Sequence, residues 1–233
     1  MRNVLMLVTV LLTISTGASA STCPAPTSLL PTTTATQRPD VLGPQQEELR
    51  RKLASQSYGA ITLGDSIMQG WSEAQLSSAM GTTVLNAGFG GDGTEHLLWR
   101  LKSFDWSTQS PHDVLVLIGT NDIGYPTCDT VWGILTVVKT VHATFPKARV
   151  MVVGILPRGV NLLGADDKIQ AVNVALKEAS TSAGFGFLDV HDAFACGHKT
   201  PCPLFQPDHL HLTSAGYDLL TGLLQKFIAA GQQ

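Results

Sequence analysis

The sequence predicts an α/β protein: a three-layer α/β/α sandwich around a parallel, doubly wound sheet of about five strands. Three observations predict it. Apolar runs of strand length alternate with helix-length segments along the chain. The runs "DVLVLIG" and "ARVMVVGIL" are almost wholly apolar, as strands covered on both faces are. The stretches rich in Gly, Asn and Asp follow directly on these runs, where an open sheet of this kind carries its site.

The elements follow in order. Residues 21–43, "STCPAPTSLLPTTTATQRPDVLG", are rich in Thr, Pro and Ser and read as an extended lead-in. "PQQEELRRKLASQ" reads as a short helix with Pro44 in its first turn. Strands are expected at "YGAITLG", "TTVLNAG", "DVLVLIG", "ARVMVVGIL" and "GFGFLDV". Between them, helices are expected at about 72–80, 94–104, 129–145 and 165–182, and a last one from about 213 to 230 with Thr213 or Ser214 near its cap. With no internal repeat and no second linker, residues 44–233 form one domain.

The amino terminus, "MRNVLMLVTVLLTISTGASA", carries one positive charge, an apolar run and Ala-Ser-Ala before Ser21. It reads as a secretory signal peptide over residues 1–20. Val4–Ile14 is short for a bilayer span, and no later segment has transmembrane length, so the mature protein is expected to be secreted and soluble. Removing the leader takes away Arg2 and no acid, which moves the net charge from −3 to −4. The chain has no basic run, which argues against nucleic acid as a partner. Oligomeric state is not readable.

Export favours disulfides. Cys196 and Cys202 flank the short loop "CGHKTPC" and are expected to pair, leaving Cys23 to tether the N-terminal segment to Cys128. A metal cluster is the alternative, but there is no C-x-x-C pair.

The residues that carry chemistry stand at the strand ends. "LGDSIMQG" sets Ser66 at the start of a helical turn, with backbone N–H groups beside its hydroxyl; Asp65 or Ser66 acting only as a helix cap is the plain alternative. "LNAGFGGDGTEH" contains G-x-G-x-x-G at Gly88, Gly90 and Gly93. A dinucleotide site is therefore a rival, but the motif follows the second strand and no acid ends the next. A loop whose backbone must approach a ligand fits better. "LIGTNDIG" leaves Asn121 just past its strand, as an amide donor or as a turn former. In "PDHLHLTSAGY", Asp208 and His211 stand three apart before the last helix. That spacing lets the carboxylate meet one ring nitrogen while the other faces Ser66, the arrangement a serine nucleophile needs. His209 and His211 as a zinc pair lack an evident third ligand.

Taken in this order, Gly-Asp-Ser, Asn-x-Gly-x-Gly-Gly-Asp, Gly-Thr-Asn-Asp and Asp-x-x-His resemble the blocks of the SGNH (GDSL-type) hydrolase family. Within it, "GFGGDGTEHLLWRL", "GILPRG" and "DHLHLTSAGY" are similar to stretches of the platelet-activating-factor acetylhydrolase alpha subunits. The resemblance covers about residues 59–225. It implies a flavodoxin-like sheet and a carboxylic ester hydrolase that needs no cofactor and no metal. By position it implies Ser66 as nucleophile, His211 as base and Asp208 as its orienting acid. The backbone N–H groups of Ser66 and Gly91 and the amide of Asn121 match the oxyanion hole. Ile67, Thr120 and Leu210, next to these residues, are expected to line a pocket for a short acyl group, acetyl first. The chain departs from the pattern at Ile67, where leucine is common, and at Gly93 and Glu95, where the acetylhydrolase subunits carry bulkier or basic residues. Export departs too, since those subunits are cytosolic. The substrate expected is a small-molecule, lipid or glycan ester; a lysophospholipase-like esterase and a non-catalytic or nucleotide-binding module are the alternatives.

Overall fold

The computed structural model describes residues 23–38 and 43–231, so the leader expected at 1–20 lies outside the described residues. Five strands form one parallel sheet: β1 (Ala60–Gly64), β2 (Val84–Gly88), β3 (Asp113–Leu117), β4 (Arg149–Val153) and β5 (Phe185–Leu188). Their order is β2-β1-β3-β4-β5, the doubly wound arrangement with its switch point beside β1.

Alternate strand residues feed two cores. Ile61, Leu63, Val114, Val116, Val150 and Val152 face one side. There they pack against α1 (Pro44–Ser55), α4 (Thr94–Ser103), α5 (Thr127–Thr144) and α6 (Asp166–Ala183). Ala60, Leu115, Leu117, Met151 and Val153 face the other. They meet α2 (Ser66–Gln69), α3 (Glu73–Met80), α7 (His191–Phe194) and α8 (Ser214–Ala230). Both faces are thus covered, which is why the strands read as continuous apolar runs. Among the described residues, no helix is long and apolar enough to cross a membrane.

The helix ends have local causes. Ser72 caps α3 by accepting the Gln75 N–H, and Gly81 closes that helix at φ +66°. Thr213 caps α8 by accepting the Gly216 N–H. The short helices α2 and α7, four residues each, are too brief to show a 3.6-residue period.

The Thr/Pro-rich lead-in is a strap bound to the domain. It is bonded to α5 through a Cys23–Cys128 disulfide, and the Trp132 Nε1–H donates to the Pro24 carbonyl at 2.8 Å. A 3-10 turn at Pro31–Thr33 buries Thr32, whose hydroxyl donates to the Asp129 carbonyl at 2.7 Å. The Thr94 hydroxyl donates to the Thr32 carbonyl at 2.8 Å, and the Thr36 N–H to the Glu95 carbonyl at 3.0 Å. The other two cysteines, Cys196 and Cys202, close the loop after α7.

Candidate active site

Ser66, Gly91 and Asn121 follow the carboxyl ends of the three adjacent strands β1, β2 and β3. Ser66 opens α2. Asp65 caps that turn from a buried position, its Oδ1 accepting the Ile67 N–H at 2.9 Å. Burial, with Asp92 nearby, pushes the Asp65 carboxyl up to about 7. The Tyr217 hydroxyl donates to the Ile67 carbonyl at 2.9 Å and so fixes α2 to α8.

Asp208 and His211 reach Ser66 from the loop before α8. His211 Nε2 lies 2.8 Å from Ser66 Oγ, and His211 Nδ1 lies 2.6 Å from Asp208 Oδ2. The other carboxylate oxygen of Asp208 accepts the N–H groups of Leu210 and His211, both at 3.0 Å. Partial burial raises the Asp208 pKa, but the imidazole and those two N–H groups outweigh it and hold the carboxyl down at about 2. A hydroxyl on an imidazole, itself held by a carboxylate, is the geometry of nucleophilic catalysis. His209, between them, turns through φ +54° and gives its carbonyl to the Gly159 N–H at 2.8 Å. It has no place in this relay. Among the described residues, no three His, Cys, Asp or Glu side chains converge as a metal ion requires.

The loop after β2 is built for close approach. Gly91 stands at φ +79°, a conformation that disfavours side chains. A Cβ on Gly90 would sit 3.7 Å from the Ser66 Cβ and 2.8 Å from Gln69 Oε1, which accepts the Gly90 N–H. Gly88 owes its type to α2, not to a nucleotide: a Cβ there would lie 2.4 Å from the Gln69 backbone nitrogen. Asn121 is exposed, and its Nδ2 donates to the Asp92 carbonyl at 2.9 Å, which joins the β3 end to this loop.

Beneath the loop lie residues to which the sequence blocks gave no role. Arg100 is buried; its Nε donates to Asp92 Oδ2 at 2.8 Å, Nη1 to the Ala87 carbonyl at 2.8 Å and Nη2 to the Gly64 carbonyl at 3.1 Å. Its guanidinium also covers the Phe89 ring, 4.2 Å from the centroid. Burial pushes the Asp92 pKa up and that of Arg100 down, and their mutual attraction opposes both. Asp122, beside Asn121, accepts the Thr94 N–H and hydroxyl, and burial with the neighbouring Glu95 charge pushes it up to about 8. Glu95 stood out in the sequence only as a departure, and its partner Asp122 only as the last residue of the Gly-Thr-Asn-Asp block.

The three residues expected around the acyl group sit close by. Ile67 is buried in the α2–α8 core, Leu210 is half-buried at its edge, and the buried Thr120 offers its hydroxyl and carbonyl to Arg158 Nη1 at 3.0 and 2.7 Å.

Residues 62–219 match the GDSL-like lipase/acylhydrolase family. The chain is 32% identical over 179 residues to platelet-activating factor acetylhydrolase IB subunit alpha1 of Homo sapiens, covering 74% of this chain and 78% of that one. It is 30% identical over 184 residues to the alpha2 subunit of Homo sapiens, covering 72% and 75%. Among solved structures, a putative acylhydrolase from Bacteroides fragilis superposes with a TM-score of 0.67 at 22% identity, covering 85% of this chain and all of that one. A mutant of Axe2, an acetyl-xylooligosaccharide esterase from Geobacillus, superposes at 0.59 with 17% identity, covering 75% and 94%. These two share the fold. Sequence blocks, sheet order and relatives agree: the chain belongs to the GDSL-like lipase/acylhydrolase family and is a carboxylic ester hydrolase.

Proposed function

We propose that the protein is an exported serine esterase that removes a short acyl group, acetyl first, by way of an acyl-enzyme. The observation that carries this reading is the relay from Asp208 through His211 to Ser66, at 2.6 and 2.8 Å.

His211 Nε2 takes the proton from Ser66 Oγ as that oxygen attacks the ester carbonyl carbon. The carbonyl oxygen becomes an oxyanion and receives the N–H groups of Ser66 and Gly91 and the Nδ2–H of Asn121. The tetrahedral intermediate collapses, and the leaving alkoxide takes the proton from His211. Water then gives a proton to His211 and attacks the acyl carbon; the bond from that carbon to Ser66 Oγ breaks, the oxygen takes the proton back from His211, and the acid leaves. Asp208 stays ionised throughout, orienting the imidazole and stabilising its cation.

Ile67, Thr120 and Leu210 border the acyl group in this reading. Their place beside Ser66, Asn121 and His211 in the chain supports this reading. The word "acetylhydrolase" in the relatives' names supports acetyl. Two disulfides support export. A phospholipid ester is the second reading for the leaving group, favoured by the 32% identity to a platelet-activating factor acetylhydrolase subunit.

The test is hydrolysis of p-nitrophenyl acetate, butyrate and octanoate by the mature protein and by Ser66→Ala, His211→Ala and His209→Ala. Acetate turnover that vanishes in the first two variants and survives in the third is the expected result. Turnover indifferent to Ser66, or a preference for octanoate, would overturn the nucleophile or the short pocket respectively.

A further inference from the structure

The strap ends on the loop that carries Gly91. The Arg38 Nη1–H donates to the Gly90 carbonyl at 2.8 Å and lies 3.6 Å from Asp92 Oδ1. The guanidinium lies against the Gly91 Cα: a Cβ built there would stand 2.5 Å from Nη1 and 3.2 Å from Cζ and Nη2. So Gly91 is covered on one side by Arg38. We propose that Arg38 is a positioning residue of the oxyanion hole, acting through the Gly90–Gly91 peptide whose N–H receives the substrate oxygen. This inference rests on the esterase reading above.

The chemistry lies in one planar unit. The Gly90 C=O and the Gly91 N–H belong to the same peptide, so whatever fixes the carbonyl fixes the direction of the N–H. A hydrogen bond from a guanidinium is charge-assisted, and so shorter and stronger than a neutral one. It draws electron density toward the carbonyl oxygen and makes the N–H at the other end a stronger donor. Gln69 Oε1 holds the preceding peptide by accepting the Gly90 N–H at 2.9 Å. Gly90 is therefore clamped on both sides, by α2 and by the strap. Without these clamps a Gly-Gly segment has wide backbone freedom.

Arg38 is delivered there by the contacts of residues 23–36. The disulfide at Cys23, the buried Thr32 and the Thr36 N–H bring the strap along the starts of α5 and α4, ending two residues before Arg38. None of this belongs to the family match, which begins at residue 62.

The test compares Arg38→Ala and Arg38→Lys with wild type on p-nitrophenyl acetate, with Ser66→Ala as the control. Removing an oxyanion donor costs about 10²–10³ in rate, and losing only its alignment should cost less, about tenfold to a hundredfold in kcat. KM should hold, since the ground-state ester does not need the aligned N–H. Arg38→Lys should recover part of kcat, and added guanidinium chloride at sub-denaturing concentration should rescue Arg38→Ala but leave Arg38→Lys and wild type unchanged. Affinity for a trifluoromethyl ketone, which forms a tetrahedral oxyanion on the serine, should fall by the same factor as kcat/KM. Wild-type kcat in Arg38→Ala, with Ser66→Ala inactive, would overturn the inference and leave the esterase reading intact. An equal loss in both Arg38 variants with a lowered Tm and no rescue would also overturn it, reducing Arg38 to a structural tie. Activity in Ser66→Ala would instead remove the reading beneath it.

Discussion

Arg100 and Asp92 form an ion pair under the loop that follows β2, 2.8 Å apart, with side chains only 3% and 2% exposed. One guanidinium thereby joins the ends of β1 and β2 to that loop. Replacing Arg100 by Met leaves Asp92 buried with far weaker pairing and removes the guanidinium donors from the Ala87 and Gly64 carbonyls, the second of which keeps the Phe89 N–H. The expected cost is about 3–5 kcal/mol, read from urea unfolding. A loss below about 1 kcal/mol would mean that the pair is dispensable to the fold.

Asn121 is placed otherwise. It is exposed, and its side-chain amide donates to the Asp92 carbonyl. Asn121→Ala should therefore stay within about 0.5 kcal/mol of wild type in stability. Its kcat should fall by about 10²–10³, the usual effect of one oxyanion donor. Full activity in a folded Asn121→Ala would take the residue out of the mechanism.

Asp208→Asn keeps the shape of the side chain and removes the charge that selects the imidazole tautomer. The expected loss is at least about a hundredfold in kcat, with acetate turnover as the readout. The same carboxyl gives an acid limb in stability. Its folded pKa, about 2, lies below its ordinary 3.8, so its contribution is present above 3.8 and is lost as pH falls toward 2.

Asp122 works in the opposite sense. Its folded pKa, raised to about 8, means the native state keeps a proton that the unfolded chain releases near 3.8. Stability from this group is full below 3.8 and declines as pH rises toward 8. Glu95→Gln removes the neighbouring charge that helps raise it. The variant's Tm should fall less between pH 5 and pH 8 than that of wild type, a shallower slope on the scale of about one pKa unit. Some slope should remain, because Asp65 is raised to about 7 for reasons of its own burial. An unchanged slope would mean that Glu95 does not act on Asp122.

The sheet was legible because its central strands are apolar on both faces, which tells a strand from a loop at "DVLVLIG" or "RVMVV". Ser66, Asp208 and His211 were legible as spaced blocks, although the serine and the histidine stand 145 residues apart. The groups that tune the site were not. Arg38 bonds a residue 52 positions away, and Asp122 meets Thr94 across 28. Arg38, in a Thr/Pro tract, carries no local signal, and Asp122, though it closes the Gly-Thr-Asn-Asp block, gives no sign there of its partner. The strap itself has no periodicity to find. Its hold comes from hydroxyls, carbonyls and a disulfide, which leave a composition indistinguishable from a loose linker.

The sheet order has a practical corollary for engineering. All the proposed chemistry stands at the carboxyl rim of β2, β1 and β3, where neighbouring strands are about 4.8 Å apart. The opposite rim, where the strands begin, carries none of it. The exposed turn at Pro146 and Lys147, between α5 and β4, lies on that rim. An epitope or a circularly permuted terminus placed there would enter an exposed turn and leave the reacting end untouched. The same insertion within residues 88–93 would disable it.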